Sequence, residues 1–179
     1  MENNKIYVYI NGDNSATLEF PEYNIKTSAQ IGENGYTDST YEGDKKTLLG
    51  EFELGLAIGT HPEDEMKNKL KIEYKKITDT MEWVDDPTST YYNQLMDTSK
   101  TEKSWKSAEH LIDFPVDYEL AVEIKVNPNN IPYKGSAVFL HCNTGEPTWG
   151  CVGVCPEVMR ELIQCIDKDT KIVVKLSGQ

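Results

Sequence analysis

The sequence predicts a mainly β fold of the α+β class, formed by one domain of 179 residues with a helix near its C-terminal end. Three observations support this prediction. Short apolar runs recur along the chain, turn residues separate them, and clear helical spacing of apolar residues occurs after Pro156. A chain of this length can bury a full core within a single domain.

Six segments have the composition of strands, and in chain order they are 6–10, 16–20, 51–58, 119–126, 136–141 and 171–176. The Asn11-Gly12 turn predicts a hairpin between the first two. The fourth alternates apolar and polar residues, which indicates a half-exposed strand. The fifth is apolar on both faces, as expected inside a core. Val158 and Leu162 then recur at helical spacing, and Pro156 suits the first turn of that helix.

The segment 60–115 is polar and has few apolar runs, so we predict an insertion or lid within the single domain. Long irregular segments of compact domains often act as lids or binding loops. Trp83 and Tyr92 in this segment are candidates for lining a substrate groove. Packing within a small core of the insertion accounts for each of them as well.

Charge and hydropathy exclude several classes of partner. The formal net charge of −12 argues against nucleic acid and anionic membrane surfaces, which need clustered Lys and Arg. No run of eighteen apolar residues predicts a membrane-spanning segment. The first residues lack the pattern of a signal peptide, so we expect either an exported protein whose leader has been trimmed or a protein that stays inside. The four cysteines are expected to be mostly free thiols.

Cys151 follows His141 by ten residues, across a turn-rich loop that ends at Gly150. A cysteine thiolate attacks carbonyls well near neutral pH, and a neighbouring imidazole can hold the sulfur in that form. The helix expected near Pro156 would add amide dipoles that favour an anion. Gly150 lets the backbone approach a substrate closely, and amides around Cys151 would then form an oxyanion hole.

Two other interpretations of these residues remain open at this level. Free cysteines are often small buried hydrophobes, and a histidine that ends a strand is often structural. Zinc is a second alternative, because His141, Cys142, Cys151 and Cys155 carry ligand-type side chains. Their spacing lacks the close Cys-x-x-Cys pair of structural zinc sites, and His141 and Cys142 point to opposite faces of a strand.

The stretch around Cys151 resembles the active-site signature of the L,D-transpeptidase catalytic domain family, also called YkuD-like. Thr148, Gly150 and Cys151 match the Ser/Thr-His-Gly-Cys of that signature. His141 matches its upstream histidine, whereas Trp149 stands where the signature has histidine. A second segment, EGDKKTLLGEFELG, resembles the family's Asp-Gly-Lys-Thr-Pro-x-Gly-x-Phe, and the residues that match it are Asp44, Lys46, Thr47, Gly50 and Phe52.

A third segment, SAEHL at Ser107 to Leu111, is similar to one found in a divergent branch of the family. If Trp149 removes an imidazole from the site, His110 of this segment is the candidate to replace it. A loop histidine without a special role is the alternative. The resemblance as a whole extends over residues 23–176.

The resemblance implies a β-sandwich of mixed sheets with a C-terminal helix and an inserted lid. It implies a cysteine acyltransferase that forms 3→3 cross-links in peptidoglycan through a thioester on a stem tetrapeptide, with L,D-carboxypeptidase activity when water is the acceptor. Its partners would be stem peptides of the cell wall, outside the cytoplasm, and no cofactor or metal is expected. An active member of the family would also be a carbapenem target.

The residue roles implied by the resemblance are specific. Cys151 is the nucleophile and His141 the base, oriented by a backbone carbonyl. Thr148, Trp149 and Gly150 form the oxyanion loop, and the candidates for lining the groove are His110, Trp83, Tyr92 and Asn143. Two alternatives remain: a catalytically impaired protein of the same fold that binds peptidoglycan, and a protein whose cysteines are structural.

Overall fold

The computed structural model describes residues 4–178, most of which lie in or against one closed β-sheet. The strands are β1 (Lys5–Ile10), β2 (Ser15–Phe20), β3 (Ile25–Gln30), β4 (Tyr36–Thr37), β5 (Thr47–Leu48), β6 (Gly50–Gly59), β7 (Tyr74–Lys76), β8 (Met81–Val84), β9 (Leu95–Asp97), β10 (Ala108–His110), β11 (Leu120–Ile124), β12 (Phe139–Cys142), β13 (Val152–Val154) and β14 (Lys171–Leu176). The helices are α1 (Glu63–Lys67), α2 (Pro156–Cys165) and the short 3-10 turns Pro21–Tyr23, Leu111–Asp113 and Asp117–Glu119.

The main sheet has nine strands in the order β11-β12-β13-β3-β2-β1-β14-β6-β7, and a further pairing of β11 with β6 closes it. The long strand β6 makes this closure possible. Its first residues pair with β14, and the residues from Leu54 to Gly59 pair with β11. The parallel pairs β1–β14 and β12–β13 make the sheet mixed, as predicted.

An aliphatic core fills the inside of this closed sheet, and we call it the inner core. Its fully buried members include Ile6, Leu18, Leu140, Cys142 and Leu162. The helix α2 covers the core with Met159, Leu162 and Ile163, so the predicted C-terminal helix is present and begins at Pro156. The mainly β fold predicted from the sequence is therefore confirmed.

A second buried cluster lies on the opposite face of β12 and its neighbours, and we call it the thiol-side cluster. Its members are Ile58, Ile77, Trp83, Leu111, Tyr118, Ala121, Phe139 and Cys151. Side chains alternate between the faces of a strand, so Phe139 points into this cluster while Leu140 points into the inner core. This alternation separates the two buried regions.

The segment 60–115 contains regular structure, contrary to the irregular insertion expected. Strands β8, β9 and β10 form a separate three-stranded sheet in the order β10-β8-β9, and β7 joins the main sheet beside β6. Trp83 of β8 sits edge-on to Phe139 of β12, with ring centroids 4.9 Å apart. This aromatic contact fastens the small sheet to the main one.

The predicted strands differ from the observed ones in two places. Strand β12 begins at Phe139 instead of residue 136, because Gly135 and Ala137 have φ values of 96° and 51°, which extended backbone does not adopt. Strands β3 and β13 were not predicted at all. Within residues 4–178, no helix is long and apolar enough to cross a lipid bilayer.

Candidate active site

The parallel pairing of β12 with β13 places Cys151 on the same face as His141. Leu140 pairs with Val152 and His141 with Gly153, so Cys151 stands beside Phe139, two residues before His141 along the sheet. The backbone N–H of Phe139 donates to Cys151 Sγ at 3.3 Å, and the thiol donates to the carbonyl of Ala137 at 3.5 Å. The neighbouring strand thus fixes the direction of the sulfur.

Burial raises the pKa of Cys151 to about 12, and the negative charges of Glu109 and Asp117 raise it further. The hydrogen bond from the Phe139 amide acts in the opposite direction and lowers this pKa. Strand β13 separates Cys151 from α2, whose N-cap residue is Cys155. The expectation that helix dipoles favour the thiolate was wrong, because the surroundings of Cys151 raise its pKa instead of lowering it. At neutral pH the thiol of the free protein carries its proton.

The surroundings of His141 favour the neutral imidazole. The residue is 6% exposed, and burial lowers its pKa. Nδ1 lies 2.5 Å from the carbonyl oxygen of Cys142, so Nδ1 carries the proton and Nε2 keeps a free lone pair. The resemblance implied that a backbone carbonyl orients this histidine, and Cys142 provides one. The carboxylate of Asp117, 3.9 Å from Nδ1, reinforces that orientation.

Cys151 and His141 line one cavity of about 300 Å³, which we call the first cavity. The thiol also lines a second cavity of about 420 Å³. Within residues 4–178, no hydrogen bond joins Cys151 Sγ to the His141 imidazole. The sulfur is instead hydrogen-bonded to the backbone of Phe139 and Ala137. The geometry brings both groups to one accessible space without a hydrogen bond between them.

The two segments that carry the family resemblance meet at Thr47. Its hydroxyl reaches the carbonyls of Gly150 and Cys151 at 3.0 and 3.3 Å and accepts the Gly32 N–H at 2.9 Å. The hydroxyl of Thr148 donates to the same Cys151 carbonyl at 2.7 Å. The loop that leads to Cys151 is therefore held from both sides.

Gly150 is required by its backbone and by its surroundings. Its φ of +119° lies in a region that L side chains rarely adopt, and a Cβ there would meet the Lys46 carbonyl oxygen at 3.0 Å. Asp44 shapes the opposing turn, since its carboxylate accepts the backbone N–H groups of Tyr41 and Lys46. The two segments fit together at backbone distance.

Trp149 stands at the rim of the site and is 67% exposed. Its ring lines both cavities, and the ammonium group of Lys45 lies 5.0 Å from the ring centroid. A cation at this distance is attracted to the negative face of the indole ring. The position that carries histidine in the family signature therefore has an aromatic wall in this protein.

His110 lines the second cavity but not the first. Its Nδ1 lies 3.0 Å from Asp113 Oδ2 and its Nε2 2.8 Å from the Asp79 carbonyl. Both partners are acceptors and raise the pKa of His110, the Asp79 carbonyl most. Two acceptors around the ring favour the doubly protonated form of His110, and the structure does not bring this residue to His141.

The other lining candidates differ in position. Asn143 lines the first cavity. Its side chain also packs against Gly153, where an added Cβ would lie only 2.5 Å from the Asn143 Cβ. Trp83 and Tyr92 are 3% and 1% exposed and line neither cavity at Cys151. Their polar atoms are used inside: Trp83 Nε1 donates to Asn93, and the Tyr92 hydroxyl donates to Glu42.

Sequence reasoning missed Glu109 and Tyr118. Glu109 lines both cavities beside Cys151 and accepts the Tyr118 hydroxyl at 2.8 Å. Burial raises the pKa of this carboxyl to about 7. The SAEHL segment contained the signal, because a strand that points His110 one way points Glu109 the other.

The four residues of the zinc alternative lie apart. Cys142 belongs to the inner core, on the face opposite to His141 and Cys151, and Cys155 is exposed at the start of α2. All four cysteines are free thiols in the structure. Across residues 4–178, His, Cys, Asp and Glu side chains form no group of three or more arranged to hold a metal ion.

Comparison with known families agrees with the fold and gives the family of the chain. The model of the L,D-transpeptidase catalytic domain (YkuD) matches residues 2–174. The chain belongs to the L,D-transpeptidase catalytic domain family. Neither the curated proteins nor the solved structures that were compared give a match. Membership supports a function of the L,D-transpeptidase type, a peptidoglycan substrate and a role in the cell wall.

Proposed function

We propose that this L,D-transpeptidase domain forms 3→3 cross-links in peptidoglycan with Cys151 as nucleophile and His141 as base, on the outer side of the cytoplasmic membrane. The observation that carries the proposal is the shared cavity: a thiol and a neutral imidazole line one accessible space on the same face of β12 and β13. The family match adds the substrate class.

In the first half of the reaction, the donor is a stem tetrapeptide that ends in D-Ala. Sγ of Cys151 attacks the carbonyl carbon of the third residue while its proton passes to Nε2 of His141. The amine of D-Ala leaves and takes that proton from His141. A thioester between Cys151 and the third residue remains, and the histidine is neutral again.

In the second half, an amine of another stem attacks the thioester carbon. His141 takes a proton from this amine and returns it to sulfur, so that an amide forms and the Cys151 thiol is regenerated. Water in place of the amine gives a free carboxylate, which is L,D-carboxypeptidase activity. Each half-reaction uses the same base, and no cofactor takes part.

The tetrahedral intermediates need donors for their oxyanion, and the oxyanion loop supplies candidates. The Gly150 N–H donates to Thr148 Oγ1 at the long distance of 3.3 Å, so it can turn to a stronger acceptor. The Cys151 amide is the second donor in this scheme. A substrate oxygen with developing charge accepts such bonds more strongly than a hydroxyl does.

The deciding experiment incubates the domain with disaccharide tetrapeptide and identifies the products by mass spectrometry. We expect cross-linked dimer and, from hydrolysis, disaccharide tripeptide, both accompanied by free D-Ala. Cys151→Ala should give none of them. If the reduced wild-type domain releases no D-Ala, the proposed function is wrong.

A catalytically impaired binding protein is the second candidate, and two observations favour it. The pKa of Cys151 is raised to about 12, which favours the protonated thiol, and Trp149 replaces the second histidine of the signature. Exposure to a carbapenem separates the two candidates by intact mass. An active enzyme gains a covalent adduct that Cys151→Ala cannot form, whereas a binding protein binds tetrapeptide and stays at its own mass.

A further inference from the structure

Glu109 has a position that the proposed chemistry does not yet use. It lines both cavities, and the other residues common to them are Phe114, Trp149 and Cys151. The Glu109 carboxylate lies close enough to Cys151 for its charge to raise the pKa of the thiol. A group that faces the nucleophile from both cavities will face every substrate that reaches the sulfur.

The Glu109 carboxylate is held in place by Tyr118. The tyrosine hydroxyl donates to Glu109 Oε2 at 2.8 Å, and the Tyr118 ring lies 5.3 Å from that of Phe139 and 6.0 Å from that of His141. Tyr118 is 4% exposed and packs in the thiol-side cluster. One rigid side chain therefore fixes the carboxylate relative to the base and to the strand that carries it.

The surroundings of Glu109 suit a cation. Among the described residues, the first cavity is lined by Glu109, Asp117 and Glu146 and by no Lys or Arg. The second cavity is lined by Lys45 and His110, but each of them lies against an acidic partner, Glu33 and Asp113 respectively. On the same side, Asp85 Oδ1 is buried and has no hydrogen-bond partner within residues 4–178. The carboxylates of the first cavity repel a substrate carboxylate, while an ammonium group would gain from them.

We propose that Glu109 is a specificity-determining residue that binds the ammonium form of the primary amine acceptor next to the Cys151 thioester. The bound ammonium group passes one proton to the Glu109 carboxylate, which releases it to the solvent, and the neutral amine then attacks the thioester while His141 takes its second proton and returns it to sulfur. This assignment rests on the proposed function, since it supposes a thioester for the amine to attack. Tyr118 is a positioning residue that aims the carboxylate. Hydrolysis, whose nucleophile is neutral water, does not need the ion pair.

The ion pair gives acceptor use a pH dependence of known sign. Burial raises the pKa of Glu109 to about 7, and the groups that face it are Tyr118, Asp85, Asp117 and Cys151. The other titratable or charged groups of the two cavities are His141, Glu146, Glu42, Lys45, His110 and Asp113. As pH falls below about 7 the carboxyl becomes neutral, so ammonium binding should weaken while hydrolysis continues.

The test compares two nucleophiles on the acyl-enzyme formed from the tetrapeptide donor. One is a stem tripeptide with a primary ammonium group, and the other is hydroxylamine, which is uncharged at neutral pH. In Glu109→Gln we expect the acceptor concentration for half-maximal transfer to rise about tenfold or more for the tripeptide. For hydroxylamine the change should be much smaller.

A second readout moves in the opposite direction. Glu109→Gln removes a negative charge that raises the pKa of Cys151, so alkylation of the free thiol by iodoacetamide should become faster. Glu109→Asp keeps the charge and should restore part of the tripeptide preference. Glu123→Gln is the matched control, because Glu123 is another half-buried carboxyl with a raised pKa but lines neither cavity at Cys151.

The outcomes separate this assignment from the proposed function. If Glu109→Gln slows both nucleophiles equally, or slows neither, the assignment is overturned while the transpeptidase function stands. If the wild-type protein forms no thioester with the donor, the proposed function fails and the assignment fails with it. A selective loss for the tripeptide, absent in Glu123→Gln, supports the ammonium site.

Discussion

The inner core and the thiol-side cluster each contain one buried cysteine, and the two cysteines show how different these regions are. Cys142 is 0% exposed among aliphatic side chains, and burial raises its pKa to about 11. Cys151 is 9% exposed, its pKa is raised to about 12, and it lines two cavities with aromatic and acidic residues. The two thiols have similarly raised pKa values, whereas their accessibility to solvent and the residues around them differ.

The pKa of the thiol therefore does not distinguish the proposed nucleophile, Cys151, from the core cysteine Cys142. Opposite faces of the same strands have different composition, because the enclosed face needs shape-filling aliphatic groups and the other face borders an open cavity. Reactivity then depends on what shares the cavity with the sulfur. We infer that the inner core supplies stability and that the thiol-side cluster supplies the chemistry.

Replacing each of the two cysteines by alanine should separate the two regions most clearly. Cys151→Ala removes the atom that forms the thioester, so D-Ala release should vanish while the domain stays folded. Cys142→Ala should retain turnover and lose about 1 kcal/mol of unfolding free energy. Denaturant titration and D-Ala release measure both effects. Lost turnover in a well-folded Cys142→Ala protein would contradict the division into two regions.

His141→Gln should have the next largest effect. A glutamine side chain cannot accept the thiol proton, so the rate of D-Ala release should fall by about 10²- to 10⁴-fold. Cys142 keeps its position because its carbonyl, not its thiol, contacts the ring. The rate of release is measured across pH 6 to about 9, a range in which the neutral wild-type base is active. An unchanged rate would remove His141 from the mechanism.

Two adjacent residues of β12 extend the comparison to packing. Leu140→Ala opens a cavity in the inner core and should cost about 2–5 kcal/mol of unfolding free energy without changing turnover per folded molecule. Phe139→Leu loses the ring contacts to Trp83 and Tyr118. Compared with Leu140→Ala, this variant should lower the turnover per folded molecule more and the unfolding free energy less. Activity is compared at a denaturant concentration where both variants are fully folded. Equal effects on turnover would show that the two faces are not independent.

Thr47→Val tests the contact between the two family segments. The variant leaves the Gly150 carbonyl and the Gly32 N–H without this buried partner, which should cost about 1–3 kcal/mol of unfolding free energy. Thr27→Val is the control, because that hydroxyl contacts only the neighbouring Ser28 carbonyl and should change stability by less than about 0.5 kcal/mol. Equal losses of unfolding free energy in the two variants would mean that the Thr47 hydroxyl contributes no more than an ordinary surface hydroxyl.

The smallest effect concerns pH. The pKa of Cys151 is raised from 9.0 to about 12, so its alkylation by iodoacetamide should rise about tenfold per pH unit across the alkaline range. Both buried thiols favour the folded state below pH 9, and this contribution should be lost as pH rises through about 11 for Cys142 and about 12 for Cys151. Cys142→Ala should therefore flatten the alkaline loss of stability measured by denaturant titration.

The sequence was sufficient to predict the mainly β fold and the pairing of Cys151 with His141 in one region, because apolar alternation and motif order are local. It did not predict β13, which has only three residues and contains Gly153. Missing this strand led to the wrong expectation about helix dipoles. Strand pairing between distant residues leaves no periodic signal in a short segment.

Side-chain roles within the insertion could not be predicted for a different reason. Trp83 and Glu109 pair across β8 and β10, yet Trp83 is buried beneath the site and Glu109 faces the thiol. Composition shows that both residues are present, but only the packing of the small sheet on Phe139 decides which one is accessible.

The placement of β14 between β1 and β6 has a consequence for how the protein is made. The strand pair joins residues 5–10 with residues 171–176, so the closed sheet stays open between β1 and β6 until residues 171–176 are available. Such distant pairings fold slowly, and β1 has an unpaired edge in the meantime. An unpaired strand edge is a template for pairing with another chain, so the late arrival of β14 makes the folding domain sensitive to aggregation.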